Sequence, residues 1–171
     1  MRPGRLPLPA ALRAALPGWR LTLAGSLAWA AAMALSAWIG LAMRQWALPV
    51  HRETVIAVFF CGGLAAFVPA LWLAGTLRHW FGFAASQRFA SNFIALSVLT
   101  IGLTAFIHSQ IFRHYFSQWH EPPGSKIWIL QTVFTTAAAI YHFLVMGLTL
   151  FLPVGMPALL AASLWAARRE R

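Results

Sequence analysis

The chain has 171 residues, of which 60% are hydrophobic and 9% charged, against about 25% charged residues in an ordinary soluble domain. Its net charge of +10 would suggest nucleic acid in a soluble protein, but the thirteen basic residues flank apolar runs and form no common face. The acids are Glu53, Glu121 and Glu170, with no Asp, so no apolar run holds a carboxylate, which excludes carboxylate-coupled ion transport and paired-carboxylate hydrolysis.

These features define an all-α integral membrane protein. A lone cysteine, Cys61, cannot form a disulfide framework or a dithiol centre within one chain, and its place in mid-run reads as small buried packing. The sequence has no Gly-rich phosphate loop, H-E-x-x-H or G-x-S-x-G, so nucleotide and hydrolase chemistry have no residues to rest on. No catalytic set and no metal site is assigned.

Residues 1–20 form a basic segment, with Arg2, Arg5, Arg13 and Arg20 set among Pro3, Pro7, Pro9 and Pro17. The apolar run Leu21 to Met43 follows. It exceeds the core of about 7–15 residues in a cleaved signal peptide and is long enough for a hydrocarbon layer of about 30 Å. The first transmembrane helix is placed there. Within it Ala24, Ala28, Ala32, Ser36 and Gly40 recur every fourth residue, a row of small side chains that lets another helix approach closely. A short loop from Arg44 to Glu53 leads to a second span, Thr54 to Leu77, with its own small row at Gly62, Ala66, Ala70 and Ala74 and an expected kink at Pro69.

The third span is Phe89 to Phe112 and the fourth Ile127 to Leu152. Ser97, Thr100, Thr104 and His108 interrupt the third at helical spacing, and Gln131, Thr135, His142 and Thr149 do so in the fourth. Two facing polar stripes are expected. From Ile127 to Ala167 there are 41 residues without a formal charge, about 60 Å of continuous helix, or twice the bilayer core. The fourth helix therefore either starts outside the membrane or ends near Leu152, where Pro153 and Pro157 would redirect residues 153–171 as an interfacial tail with a basic end.

Gln118-Trp119-His120-Glu121-Pro122 repeats the Gln-Trp-x-x-Pro of residues 45–49 at an offset of 73, and the same offset carries Ala24, Ala32 and Ser36 to Ser97, Ala105 and Ser109. Two helical hairpins of like orientation are expected, related by an axis along the membrane normal. With four spans, nine basic residues fall on the side of the termini (Arg2, Arg5, Arg13, Arg20, Arg78, Arg88, Arg168, Arg169 and Arg171) and four on the other (Arg44, Arg52, Arg113 and Lys126). Cytoplasmic termini and a bacterial inner membrane follow as expectations.

For function, the first expectation is an accessory or assembly subunit of a larger membrane complex. The expected partners are the bilayer and other membrane subunits or a second copy, with no nucleic acid. The alternative is an electron-transfer subunit that binds haem b or a quinone through His108 and His142, since bis-histidine ligation needs one neutral imidazole on each of two helices at similar depth. A hairpin turning at Pro122-Pro123 puts His142 about 7 Å deeper than His108, whereas a fourth span beginning at Ile127 leaves His108 near the outer face and His142 well below it, and the pair fails. A small solute carrier or channel lined by the polar stripes is the third reading. His114, His120 and Glu121 lack the spacing of a zinc site, and His51 and His79 read as interfacial.

Overall fold

The computed structural model describes residues 6–44 and 49–169. Trp46 and the rest of residues 45–48 lie outside the described residues, so the first copy of the Gln-Trp-x-x-Pro repeat does too, as do Arg2, Arg5, Glu170 and Arg171. All regular structure among the described residues is helical. Helix α1 is Leu8–Ala14; α2 is Ser26–Met43, entered through a π-helical turn at Leu21–Gly25; α3 is Pro49–Phe81; α4 is Ala85–Ser117; α5 is Lys126–His142; and α6 is Gly155–Arg169. Four stretches are long and apolar enough to cross a membrane: Leu21–Met43, His51–Phe81, Ser86–Ser117 and Lys126–Phe151.

Two adjacent glycines place α3 between its neighbours. Successive helical residues point about 100° apart, so Gly62 and Gly63 serve different partners. A Cβ on Gly62 would lie 2.8 Å from Thr104 Cα on α4, and one on Gly63 would lie 3.1 Å from Ala30 Cα on α2. Ala66, Ala70 and Ala74 extend the close approach and are buried. Cys61, expected in the core, is exposed instead, because the two positions after it take up the helix contacts. Helix α3 runs through Pro69 as one element.

The small row on α2 is covered along only part of its length. Ala24 and Ala28 are exposed, Ala32 is half-buried, and Ser36 and Gly40 are buried. Their cover is the irregular segment that follows α5, a π-helical turn at Phe143–Gly147 and a 3-10 turn at Leu148–Phe151. Gly40 leaves room for Leu150, whose Cδ2 would lie 2.8 Å from a Cβ there. The face that α2 turns to α3 is a different one, with Ala30, Met33, Ala37 and Leu41 buried.

The helix is interrupted at Pro153, which has no N–H to offer the preceding turn. Ser36 closes the break. Its hydroxyl donates to Leu150 O at 2.8 Å and accepts from Val154 N at 3.1 Å and Gly155 N at 3.0 Å. Arg44 holds the turn before it, donating to Met146 O at 3.3 Å and to Thr149 Oγ1. Helix α6 then packs against α4 and α2, with Leu159 and Ser163 buried, so residues expected in an interfacial tail lie along the bundle. Helices α5 and α6 thus divide the length of α4 between them. One stands beside His108, the other beside Phe93 and Leu96.

Candidate functional site

The α4–α5 contact is built from the loop end downward. Ser125 caps α5 by accepting from Trp128 N at 3.0 Å, a local arrangement that satisfies a first-turn amide. Gln131 accepts from Glu121 N at 2.9 Å, and His120 meets Thr135 Oγ1 at 3.2 Å. These bonds tie the loop to α5 and let its first turns stand beyond the end of α4. The hairpin therefore turns about Ser125 and not at Pro122-Pro123, and His142 comes level with His108.

The two imidazoles touch. His142 Nδ1 lies 3.4 Å from His108 Nε2, with ring centroids 5.5 Å apart and planes at 18°. Phe112, one turn beyond His108, and Phe143, next to His142, wall the pair at centroid distances of 6.1 Å and 5.8 Å from the His108 ring. His108 is half-buried and His142 exposed. A neutral imidazole has one donor and one acceptor nitrogen, and this contact uses one nitrogen of each ring. The second nitrogen of each ring lies outside this contact.

The remaining stripe residues do not face one another across the α4–α5 contact. Ser97 donates to Phe93 O at 2.7 Å and Thr104 to Thr100 O at 2.6 Å, both back along α4. Thr100 accepts from Trp29 Nε1 on α2 at 3.0 Å. Gln131 and Thr135 bind the loop, and Thr149 binds Arg44. Replacing Trp29 by Phe removes the bond between Thr100 and α2, and the expected loss is about 0.6 to 2 kcal/mol in reversible unfolding. No detectable loss would show that the Trp29 ring acts there by packing alone.

Among the described residues no three His, Cys, Asp or Glu side chains come together around a common point. A haem, if bound here, would be held by one nitrogen each from His108 and His142. Here the nitrogens are in direct contact. A haem held by both rings would need them to part, whereas a hydrogen-bonding head group would be held by His142 alone. The flanking Phe112 and Phe143 were not singled out in the sequence; their spacing from the histidines was the available signal. Neither a family model, nor a curated protein, nor a solved structure matches the chain.

Proposed function

We propose that the four long helices lie in a bilayer, as two hairpins of like orientation, with both termini cytoplasmic in a bacterial inner membrane. The charge distribution supports this orientation: Arg13, Arg20, Arg78, Arg88, Arg168 and Arg169 stand at one end of the described chain, and Arg44, Arg52, Arg113 and Lys126 at the other. Within that setting the chain is an accessory subunit of a larger membrane complex. The supporting observation is the one-sided mounting of α5, which among the described helices packs substantially only against α4. Its free face carries Leu130, Phe134 and Tyr141, all exposed. When native membranes are solubilised in mild detergent, the chain is expected to elute with other subunits at stoichiometric yield. Phe134→Ala with Tyr141→Ala should release it, and Trp38→Ala on the exposed side of α2 should not. Elution as a free monomer would overturn the assignment.

The His108–His142 contact favours a second, compatible reading: the limb formed by α4 and α5 binds the head group of a quinone for a redox partner. Two imidazoles store no electron, but a linked pair can accept a proton from a quinol and donate a hydrogen bond to a quinone oxygen. Quinone extracted from the purified protein is expected at about one per chain, and His142→Phe should lower retention about tenfold, the value of one good hydrogen bond. The fold should be unaffected, because His142 is exposed. A Soret band that shifts with dithionite would assign the pair to haem b, and neither quinone nor Soret band would sink both ligands.

A further inference from the structure

At the end of the molecule that holds the described termini, the segment before α2 folds back on α3. Trp72 Nε1 donates to Leu12 O at 2.9 Å and Leu6 N to His79 O at 2.9 Å. Gly75 makes the approach possible, since a Cβ there would stand 3.0 Å from Ala15 Cβ. The fold leaves a cavity of about 220 Å³ between residues 14–18, the end of α3 and the end of α6. Its walls are of two kinds. Arg78 from α3, whose Nη2 also meets His79 Nε2 at 3.1 Å, and Arg169 from α6 line it, while Leu21, Leu71 and Ala166 supply an apolar side.

We infer that this cavity binds the phosphate of an anionic phospholipid, with the guanidinium groups of Arg78 and Arg169 on the head group and the acyl chains against Leu21 and Leu71. The inference rests on the bilayer reading above, which brings this end of the bundle to the level of the lipid phosphates. Arginine suits the task because its planar donors match phosphate oxygens two at a time. Basic pockets between helices on the cytoplasmic side are where anionic head groups are held. Arg169 is placed by Trp165, with its guanidinium carbon 5.2 Å from the ring centroid, and Trp165 is itself an amphipathic ring suited to this depth. The backbone adds to the same field. Gly18 O accepts the first helical bond, from Thr22 N at 3.0 Å, so the amides of the next residues form a helix start with no capping side chain.

The test uses the full chain. Flotation with phosphatidylcholine vesicles first establishes bilayer insertion; a chain that fails to float with any vesicle overturns the bilayer reading and this site together. Native mass spectrometry of the detergent-solubilised chain is then expected to retain one phosphatidylglycerol in preference to phosphatidylcholine. Arg169→Gln should weaken retention about fivefold, and Arg78→Gln with Arg169→Gln about twentyfold. Arg113→Gln, at the other end, should leave it unchanged. Arg169 is exposed, so its single variant reports on binding with the fold intact. Equal retention of the two lipids, or loss of selectivity in none of the variants, overturns the site. Inorganic phosphate bound as tightly as the lipid would assign the cavity to a free anion and overturn the lipid.

Discussion

Leucine at position 62 is expected to separate α3 from α4 and to cost about 3 kcal/mol or more, at the upper end of what overpacking does in a well-filled interior. The reason is the identity of the obstructing atom. A single methyl carbon on Gly62 would already sit 2.8 Å from Thr104 Cα, and backbone cannot rotate aside as a flexible side chain can. Position 63 is less severe: its backbone obstruction, Ala30 Cα, stands farther off at 3.1 Å, and the closer Met33 Cγ belongs to an adaptable side chain. Thr104 is itself fully buried and bonded to Thr100 O, so it has nowhere to turn. The internal control is Gly102, which has no atom within 4 Å of a Cβ position. Gly102→Leu should be neutral or stabilising by up to about 1 kcal/mol, through helix propensity. Reversible unfolding in mixed detergent micelles reads both. Equal behaviour of the two variants would mean that α3 and α4 do not meet at Gly62.

How much of this was legible in the sequence depends on what periodicity can encode. It reports which residues share a face, and so the small row Gly62, Ala66, Ala70 and Ala74 was visible as a close-packing surface and is buried in the structure. It does not report what covers a face. The row on α2 looked equivalent, yet Ala24 and Ala28 are exposed while Ser36 and Gly40 receive the broken segment after α5. Ser36 was counted there as a small residue, and nothing local marks it as a hydrogen-bonding bridge to residues 150–155. The break itself was readable from Pro153; the direction of the chain after it depended on that distant hydroxyl. The histidine pair was visible as a pair, but its depth turned on the loop. The bond that Gln131 accepts from Glu121 N and the contact between Thr135 and His120 shift the turn toward Ser125 and bring His142 up to His108. Ser97 and Thr104 illustrate a further limit: a hydroxyl in a helix can always return to its own backbone, and a stripe of hydroxyls need not face a partner.

Ser36→Ala is expected to free α6 from the bundle while leaving α2, α3 and α4 together. The substitution leaves three backbone groups without their partner at once: Leu150 O, Val154 N and Gly155 N, held at 2.8, 3.1 and 3.0 Å. Ser36 is fully buried, and each buried group left unmatched costs about 1–3 kcal/mol. Single hydrogen bonds between membrane helices average only about 0.6 kcal/mol, because the separated helices find other partners. That compensation is weakest here, since both amides lie at the break itself, between the 3-10 turn Leu148–Phe151 and the body of α6. A total of about 2–4 kcal/mol is therefore expected, more than any single bond of the stripe contributes. Hydrogen exchange locates the effect: the amides of Val154 and Gly155 should be protected in the parent chain and exchange at least tenfold faster in the variant, with amides around Gly62 unchanged. Ser97→Ala removes a hydroxyl that bonds only to Phe93 O within its own helix and should shift neither region. If Ser36→Ala leaves residues 154 and 155 protected, the break is held by Arg44 and the packing of Leu150 against Gly40, and the serine bridge is incidental to the position of α6.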